Sequence, residues 1–341
     1  MAKVVCAGHA TCDLLFRGIN KSLFDMDTVY AHDALVFPGG DALNTTVNLH
    51  KLGLRNVKYV SSVGNDIYGN YILSYLDEMG IDISGISVKE ECSTQVSVVL
   101  VDSNSERHFI CHGNSAQNIT VEDIISQIDS DTKYLHIGSL MTLNGLEYEN
   151  LLSLFKFAHN NNITTSFDVT YDPTGIWFGR ICDALPYTDY LFASFEEAKE
   201  LSHGLEAPDK IANFFYSNQF KGTFVLKLDK RGCFIANRDQ TCNIPACEVL
   251  SVVDTTGAGD AFVSAFLFGI INGLSDEESG ILGNVNGALA ITKLGATSST
   301  ANLQNLVSTL QKDYTVHPLK NKLIEKMEML AFDRTNNAIQ V

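Results

Sequence analysis

Short runs of β-branched and aromatic residues alternate along this chain with longer stretches whose apolar residues recur every three or four positions. The runs Val4–Ala7, Val57–Val63, Val96–Val101, Tyr134–Ile137, Thr164–Asp168, Tyr190–Ala193 and Phe224–Leu228 predict strands. Several are almost continuously apolar, the pattern of strands covered on both faces. Between them, Gly69–Met79, Leu146–His159, Glu196–Ser202 and Ala207–Asn218 predict amphipathic helices. This alternation predicts an α/β fold: a three-layer αβα sandwich around a mostly parallel sheet. No internal repeat or low-complexity tract interrupts it.

Two stretches break the rhythm. Residues 14–37 contain no convincing helix, and Thr94–Ile110 reads as a hairpin turning at Asp102–Glu106. Together these lid segments, about 14–37 and 94–111, predict a small β-sheet projecting from the main body, as a lid or an oligomer contact, because its apolar face must be covered. Residues 1–312 form the predicted main domain. The tail, 313–341, predicts an appended surface helix at Lys320–Phe332 with no chemistry in it.

Composition narrows the partners. The chain has 341 residues, is 45% hydrophobic and 19% charged, and carries 24 Lys and Arg against 40 Asp and Glu, a net charge of −16. Such a charge repels phosphate backbones and anionic membranes, so neither nucleic acid nor a membrane is the expected partner, though a basic pocket for a small anion is allowed. No apolar run approaches the roughly 20 residues of a membrane helix, and the N-terminus reads as a first strand rather than a leader. The eight cysteines form no Cys-x-x-Cys pair; Cys6/Cys12 and Cys242/Cys247 come closest, without zinc spacing. Buried free thiols in a reducing cytoplasm are expected, which leaves the Asn-x-Thr triplets at Asn44, Asn118 and Asn162 without meaning for glycosylation.

The stretch Val252-Val-Asp-Thr-Thr-Gly-Ala-Gly-Asp-Ala-Phe262 carries the chemistry. A β-type run ends at Asp254, a turn of small residues follows, and Ala261–Leu274 predicts a wholly buried helix. N–H groups freed by Gly257-Ala258-Gly259 make an anion site at a helix N-terminus, with the Asp260 carboxylate beside it. Backbone donors for a moving phosphoryl group next to a carboxylate that accepts a hydroxyl proton suit phosphoryl transfer. Read alone, the same turn is a capped helix with glycines for tight packing.

The sequence resembles the ribokinase-like (PfkB-type) carbohydrate and nucleoside kinases. Asp254-Thr-Thr-Gly-Ala-Gly-Asp260 is similar to that family's C-terminal signature, and Pro38-Gly-Gly-Asp-Ala-Leu-Asn44 with Leu52-Gly53 to its N-terminal one. Val5-Cys-Ala-Gly-His-Ala-Thr-Cys-Asp13, Gly64-Asn-Asp66 with Gly69, Lys227 with Gly232, and Asn284 through Gly295-Ala296 follow in the expected order, so the resemblance covers about residues 3–310. It implies transfer of the γ-phosphoryl group of ATP to a hydroxymethyl group of a sugar or nucleoside, with Mg2+, and a lid that often mediates a homodimer. It further implies Asp260 as general base, Gly257, Ala258 and Gly259 with Asp260 as the anion hole, and Asp13, Gly39, Gly40, Asp41 and Asn44 at the acceptor. Carboxylates and an amide suit a neutral polyol, which offers hydroxyls. Lys227, Asp229, Gly232 and Asn284 would border the nucleotide, Lys227 near its phosphates and Asn284 beside the adenine. Lys227 as a solvated charge and Asn284 as a backbone-bonding helix residue are the plainer alternatives.

Two departures stand out. Ser194-Phe-Glu-Glu197 puts Ser where the family's Asn-x-x-Glu motif has Asn, implying magnesium held near Glu197 more through water. Asp229 stands where many relatives have Gly. Asp254 and the Thr256 carbonyl match positions that bind a monovalent cation, K+, in many relatives. These departures raise the alternative of a catalytically idle sugar-binding relative, against which the retained Asp260 counts.

Other chemistries lack their signatures. Gly64-Asn-Asp-Ile-Tyr-Gly69 has Walker A glycine spacing but continues with Asn70 instead of Lys, and neither Gly-x-Gly-x-x-Gly nor Gly-x-Ser-x-Gly occurs. His108 and His112 share one face of a predicted strand and read as ordinary histidines rather than a metal pair. For the acceptor, Asp13 and Asp41 favour a sugar and repel an anionic one, unless Arg107 or Arg180 reaches in. Phe16, Phe37 and Phe109 on the lid would be the platform for a nucleoside, or, more plainly, the lid's own core, and Asp168-Val-Thr-Tyr-Asp172 would border the site from the end of a central strand.

Overall fold

The first strand, β1 (Lys3–Ala7), has no polar side chain after Lys3, and the molecule uses both of its faces. Val5 and Ala7 enter one core while Val4 and Cys6 enter another on the opposite side, as the period of two requires in a strand covered by helices on both sides. The computed structural model describes residues 3–19, 21–102, 107–249, 251–298, 302–312 and 317–339.

From β1 the chain runs through β2 (Thr11–Ile19), β3 (Asp33–Gly39), α1 (Asp41–Lys51), β4 (Val57–Gly64), α2 (Ile67–Glu78), β5 (Ile86–Lys89), β6 (Gln95–Asp102), β7 (Arg107–His112), α3 (Val121–Ile125), β8 (Thr132–Ile137), α4 (Glu149–Asn160) and β9 (Thr164–Asp168). It continues with β10 (Tyr190–Ser194), α5 (Phe195–Leu201), α6 (Pro208–Ser217), β11 (Thr223–Lys227), β12 (Cys233–Ala236), β13 (Thr241–Ile244), α7 (Ala258–Ile271), α8 (Asp276–Ala290), α9 (Leu303–Lys312) and α10 (Lys320–Ile339). The central sheet has the order β13-β12-β11-β10-β9-β8-β1-β4-β5 and is parallel except at its β11-β12-β13 edge. The chain leaves β1 toward β4 and β5, then returns to β8 on the other side, so strand order reverses beside β1. Crevices at such reversals, outside the C-terminal ends of the strands, are where open α/β sheets bind ligands. This is the ribokinase-like α/β fold with its small second sheet.

That small sheet has the order β3-β2-β6-β7, so the two irregular stretches do form the projecting sheet. Most of its expected hairpin turn falls outside the described residues. Asp13 lies opposite Phe37 on one neighbour and Ser97 on the other, so Phe37 shares the face of Asp13. By the same alternation Phe109, opposite Val99, shares that face, while Phe16 points to the other. The expected trio of lid aromatics is therefore divided. Asp66 ties lid to body: it caps α2 through the N–H groups of Tyr68 and Gly69 and accepts the N–H of Thr94 at 2.8 Å.

All seven predicted strands are present with ends displaced by no more than two residues. The expected β-run before Asp254 is not a strand. Val253 and Asp254 instead donate their N–H groups to the carbonyl of Ile291 at the end of α8, which supplies a helix terminus with partners. The buried helix begins at Ala258, three residues ahead of the predicted start, because Gly257 at φ 75 caps it. A Cβ on Gly257 would lie 2.5 Å from that of Ala296, so only glycine fits this turn.

All eight cysteines are free, but the expectation that they are buried holds for five only: Cys182 and Cys242 are half-buried and Cys111 is exposed. No helix among the described residues is long and apolar enough to cross a membrane. The boundary expected at residue 313 falls outside the described residues. α10 is longer than predicted, and its Leu323 and Met327 are fully buried in the core that α7 and α8 share.

Candidate active site

Two helices bring their N-termini to the strand reversal. α1 is capped by Gly40 at φ 104, where a Cβ would stand 2.3 Å from the carbonyl oxygen of His9. α7 starts at the Gly257 turn. Four residues into the α1 segment, buried Asn44 donates from Nδ2 to Oδ2 of Asp260 at 2.7 Å, and its Oδ1 is buried without a hydrogen-bond partner. The N–H groups of Gly257, Gly259 and Asp260 make no hydrogen bond among the described residues, whereas that of Ala258 reaches the Thr255 carbonyl at 3.3 Å. Three of the four expected anion-hole donors are thus open.

Asp13 faces the same space from β2, with Gly39 against it: a Cβ there would lie 2.3 Å from Asp13 Oδ2. Burial, then the charges of Asp41 and Asp254, push the Asp13 carboxyl up to about 7, against the pull of the Ser97 hydroxyl. Burial and Asp41 raise Asp260 well above the usual carboxylate range, while Asn44 and Lys227 act in the opposite sense. Asp41 is therefore the charge the neighbouring acids share. A carboxyl raised in this way is a stronger base once ionised.

Lys227 is neither solvated nor turned outward. At the C-terminal end of β11 its Nζ donates to both oxygens of Asp168, at 2.7 and 2.6 Å, and the Lys227 and Asp168 side chains are 15% and 5% exposed. Burial opposes the charge on Lys227, but Asp168 and Glu197 outweigh it and hold the ammonium protonated. A Cβ on Gly259 would lie 3.4 Å from Nζ, so the ammonium borders the open N–H groups of α7. Glu197 completes a capping box at α5: its Oε2 accepts the Ser194 N–H at 2.7 Å and Ser194 accepts the N–H of Glu197. Asp229, exposed, adopts φ 51 in the loop closed by Gly232. Asn284 on α8 donates to the carbonyls of Ile244 and Pro245, away from the anion turn. Asp254 accepts the N–H and hydroxyl of Thr256 and the N–H of Gly295.

Two site residues were not singled out from the chain. Asp168 was named only as part of a bordering segment, because nothing local announces its partner 59 positions away. His9 sits at the reversal, with Nε2 2.8 Å from the Thr142 hydroxyl, and burial lowers its pKa against the influence of Asp41. Arg180 is engaged elsewhere than at Asp13: it bonds Asp172 and Glu147 at 3.2 and 3.0 Å and the carbonyl of Met141. The described residues hold no group of three or more His, Cys, Asp or Glu side chains placed for a metal.

A buried carboxylate, open backbone donors and an ammonium beside them are the parts of a phosphoryl-transfer site. The family model for pfkB family carbohydrate kinases matches residues 1–303. This chain belongs to that family. It is similar to a ribokinase from Lactococcus lactis, 27% identical over 92% of this chain and 98% of the other. A nucleoside kinase from Methanocaldococcus jannaschii is 24% identical, again over 92% and 98%. A chain from E. coli assigned provisionally as ribokinase II, solved with ATP and Mg2+, superposes with a TM-score of 0.76 at 23% identity, covering 92% of this chain and 100% of that one. As a pfkB-family member the chain is an ATP-dependent phosphotransferase.

The buried pair gives a direct prediction. Lys227→Met leaves the Asp168 carboxylate buried without its cation, and such a loss costs about 3–5 kcal/mol. In urea unfolding the loss is expected at pH 8 and to shrink toward pH 5, where a protonated Asp168 needs no partner. A pH-independent loss below 1 kcal/mol would mean the pair contributes nothing.

Proposed function

We propose that this kinase transfers the γ-phosphoryl group of ATP to a hydroxymethyl group of a small neutral sugar, with Asp260 as general base. The observation that carries the reading is the Asn44–Asp260 contact, which joins the acceptor signature and the anion turn in one space. Asp13, Asp41, Asn44 and the backbone at Gly39 and Gly40 hold the acceptor hydroxyls; the orphaned Oδ1 of Asn44 is an acceptor awaiting one of them. Asp260 removes the proton of the attacking hydroxyl as its oxygen bonds to the γ-phosphorus. The bond to the bridging oxygen breaks, and the electron pair leaves with ADP. The N–H groups of Gly257, Gly259 and Asp260, with Lys227, stabilise the phosphoryl oxygens.

Magnesium, when bound, would supply the positive charge that screens the phosphates, and Glu197 is the residue that would hold it. Glu197 suits it through water: one oxygen is pinned by Ser194, and magnesium keeps much of its own hydration. Asp229, Gly232 and Asn284 border the rest of the nucleotide, and K+ would sit beside Asp254 and the Thr256 carbonyl. A nucleoside acceptor is the second reading. Phe37 and Phe109 on the face of Asp13 favour it, as does the likeness to the archaeal nucleoside kinase. Half-exposed Val36 and Ile110, which share the lid face opposite to Asp13, support a lid-mediated homodimer.

ADP release from Mg-ATP across pentoses, hexoses, keto-sugars, polyols and nucleosides, with and without K+, tests the acceptor. Asp260→Asn should lower kcat at least ~100-fold while leaving sugar binding within a few-fold; unchanged turnover removes Asp260 as the base.

The raised pKa of Asp260 sets the pH dependence. Its folded pKa lies above the ordinary value, so the active ionised form is lost as pH falls through that raised pKa. The acidic limb of kcat at saturating acceptor should lie above the usual carboxylate range, and Asp41→Asn should move it to lower pH by removing a negative neighbour. A limb that stays in place contradicts the coupling.

Light scattering should give twice the 37.4 kDa chain mass, falling to the chain mass when Val36 and Ile110 are both replaced by Asp. A wild-type monomer excludes the lid dimer.

A further inference from the structure

The antiparallel edge of the central sheet opens onto a narrow cleft. One wall is the chain leaving β13, with Pro245 and Cys247; the second is the face of α8 that carries Asn284 and Val285; the third is the tail, with His317 and Lys320. Asn284 braces the first wall against the second through its bonds to Ile244 and Pro245. The Gly232 loop packs from behind, since a Cβ on Gly232 would stand 2.0 Å from the Ile244 carbonyl oxygen.

The cleft lies on the same helix as the anion turn. A Cβ on Gly287 would be 3.3 Å from the carbonyl oxygen of Ala258. Asn284 precedes Gly287 by three residues, about 4.5 Å along the axis of α8. A nucleoside triphosphate with its last phosphate at Gly257–Asp260 can therefore run along α8 and bring its base to the cleft. The walls are mostly apolar with a few fixed polar groups, around a free volume of about 10 Å³.

The tail is built to hold its wall in place. Leu323 and Met327 are fully buried beneath it. Lys326 donates to both oxygens of Glu278 at 2.6 and 2.8 Å, and Glu278 itself belongs to the capping box of α8. The His317 ring is oriented by both nitrogens: Nδ1 accepts the Leu319 N–H at 3.3 Å and Nε2 lies 3.3 Å from Glu277. A fixed aromatic ring and the alkyl stem of a lysine are surfaces on which a base packs.

We propose that the tail turn His317–Lys320 is the outer wall of the nucleotide-base pocket, so that a segment beyond the family-matched residues 1–303 sets the affinity of this kinase for ATP. The proposal rests on the reading of Gly257–Asp260 as the phosphate end of the nucleotide site.

The test is calorimetric binding of Mg-ATP and of magnesium tripolyphosphate, which has no base, to the full chain without acceptor. His317→Ala and Lys320→Ala should each raise the Kd for ATP at least fivefold and leave that for tripolyphosphate within twofold. An ATP Kd within twofold of wild type in both variants overturns the proposal. So does an equal weakening of ATP and tripolyphosphate, which would make Lys320 a general attraction for phosphate. Wild-type protein that binds neither ligand sinks the phosphate-site reading as well, so the two failures are distinguishable.

Discussion

The contact between Asn44 and Asp260 joins parts of the chain 216 residues apart, and the site depends on it. It fixes the N-terminal ends of α1 and α7 against one another, although both ends carry partial positive charge and repel. What makes the convergence tolerable is the acid gathered there. Asp41 and Asp260 lie in the first turns of the two helices, and Asp13 approaches from the lid. Helix ends and carboxylates offset each other, and burial keeps the remaining excess of acid expressed as raised pKa values instead of as solvated charge.

The same balance explains how a chain of net charge −16 can take an anionic co-substrate. Attraction cannot come from the overall field, so it must be local. In the proposed reaction the open N–H groups of α7 and the ammonium of Lys227 are that local source. Pairing with Asp168 keeps the ammonium charged at depth, and Glu197 adds to the same effect. The position of the ammonium is set by strands β9 and β11 rather than by a loop.

Periodicity in the chain was enough to read the parallel sheet, the lid and the helix that carries Asp260, because each rests on an apolar pattern of its own. The β12–β13 edge was not read: its strands are four residues each, too short for alternation to register. Of the candidate site, the Gly257 turn and Asp260 are legible from the helix they open, whereas Asp13, Asn44 and the glycines beside them are named only through the family resemblance. Asp168 and His9 are not legible, since their partners, Lys227 on β11 and Thr142, lie 59 and 133 positions away in the chain. The tail read as inert because an amphipathic helix announces that it packs and says nothing about what it packs beside.

Ser194 and Asp229 looked in the sequence like damage to a kinase. Both preserve what the fold needs at their positions. Ser194 is among the best N-cap residues, and through the reciprocal capping box it anchors the carboxylate of Glu197 where an Asn would otherwise stand. Asp229 occupies a left-handed conformation, φ 51, which favours glycine but which Asp enters more readily than most side chains. The loop before Gly232 thus keeps its path without the glycine many relatives have. Neither substitution disturbs the Asn44–Asp260 contact or the open N–H groups of α7. An idle binder would have no reason to retain a buried acid whose pKa its surroundings raise, beside donors left without partners. The departures are local replacements that conserve geometry, and the weight they lent to a non-catalytic relative falls away.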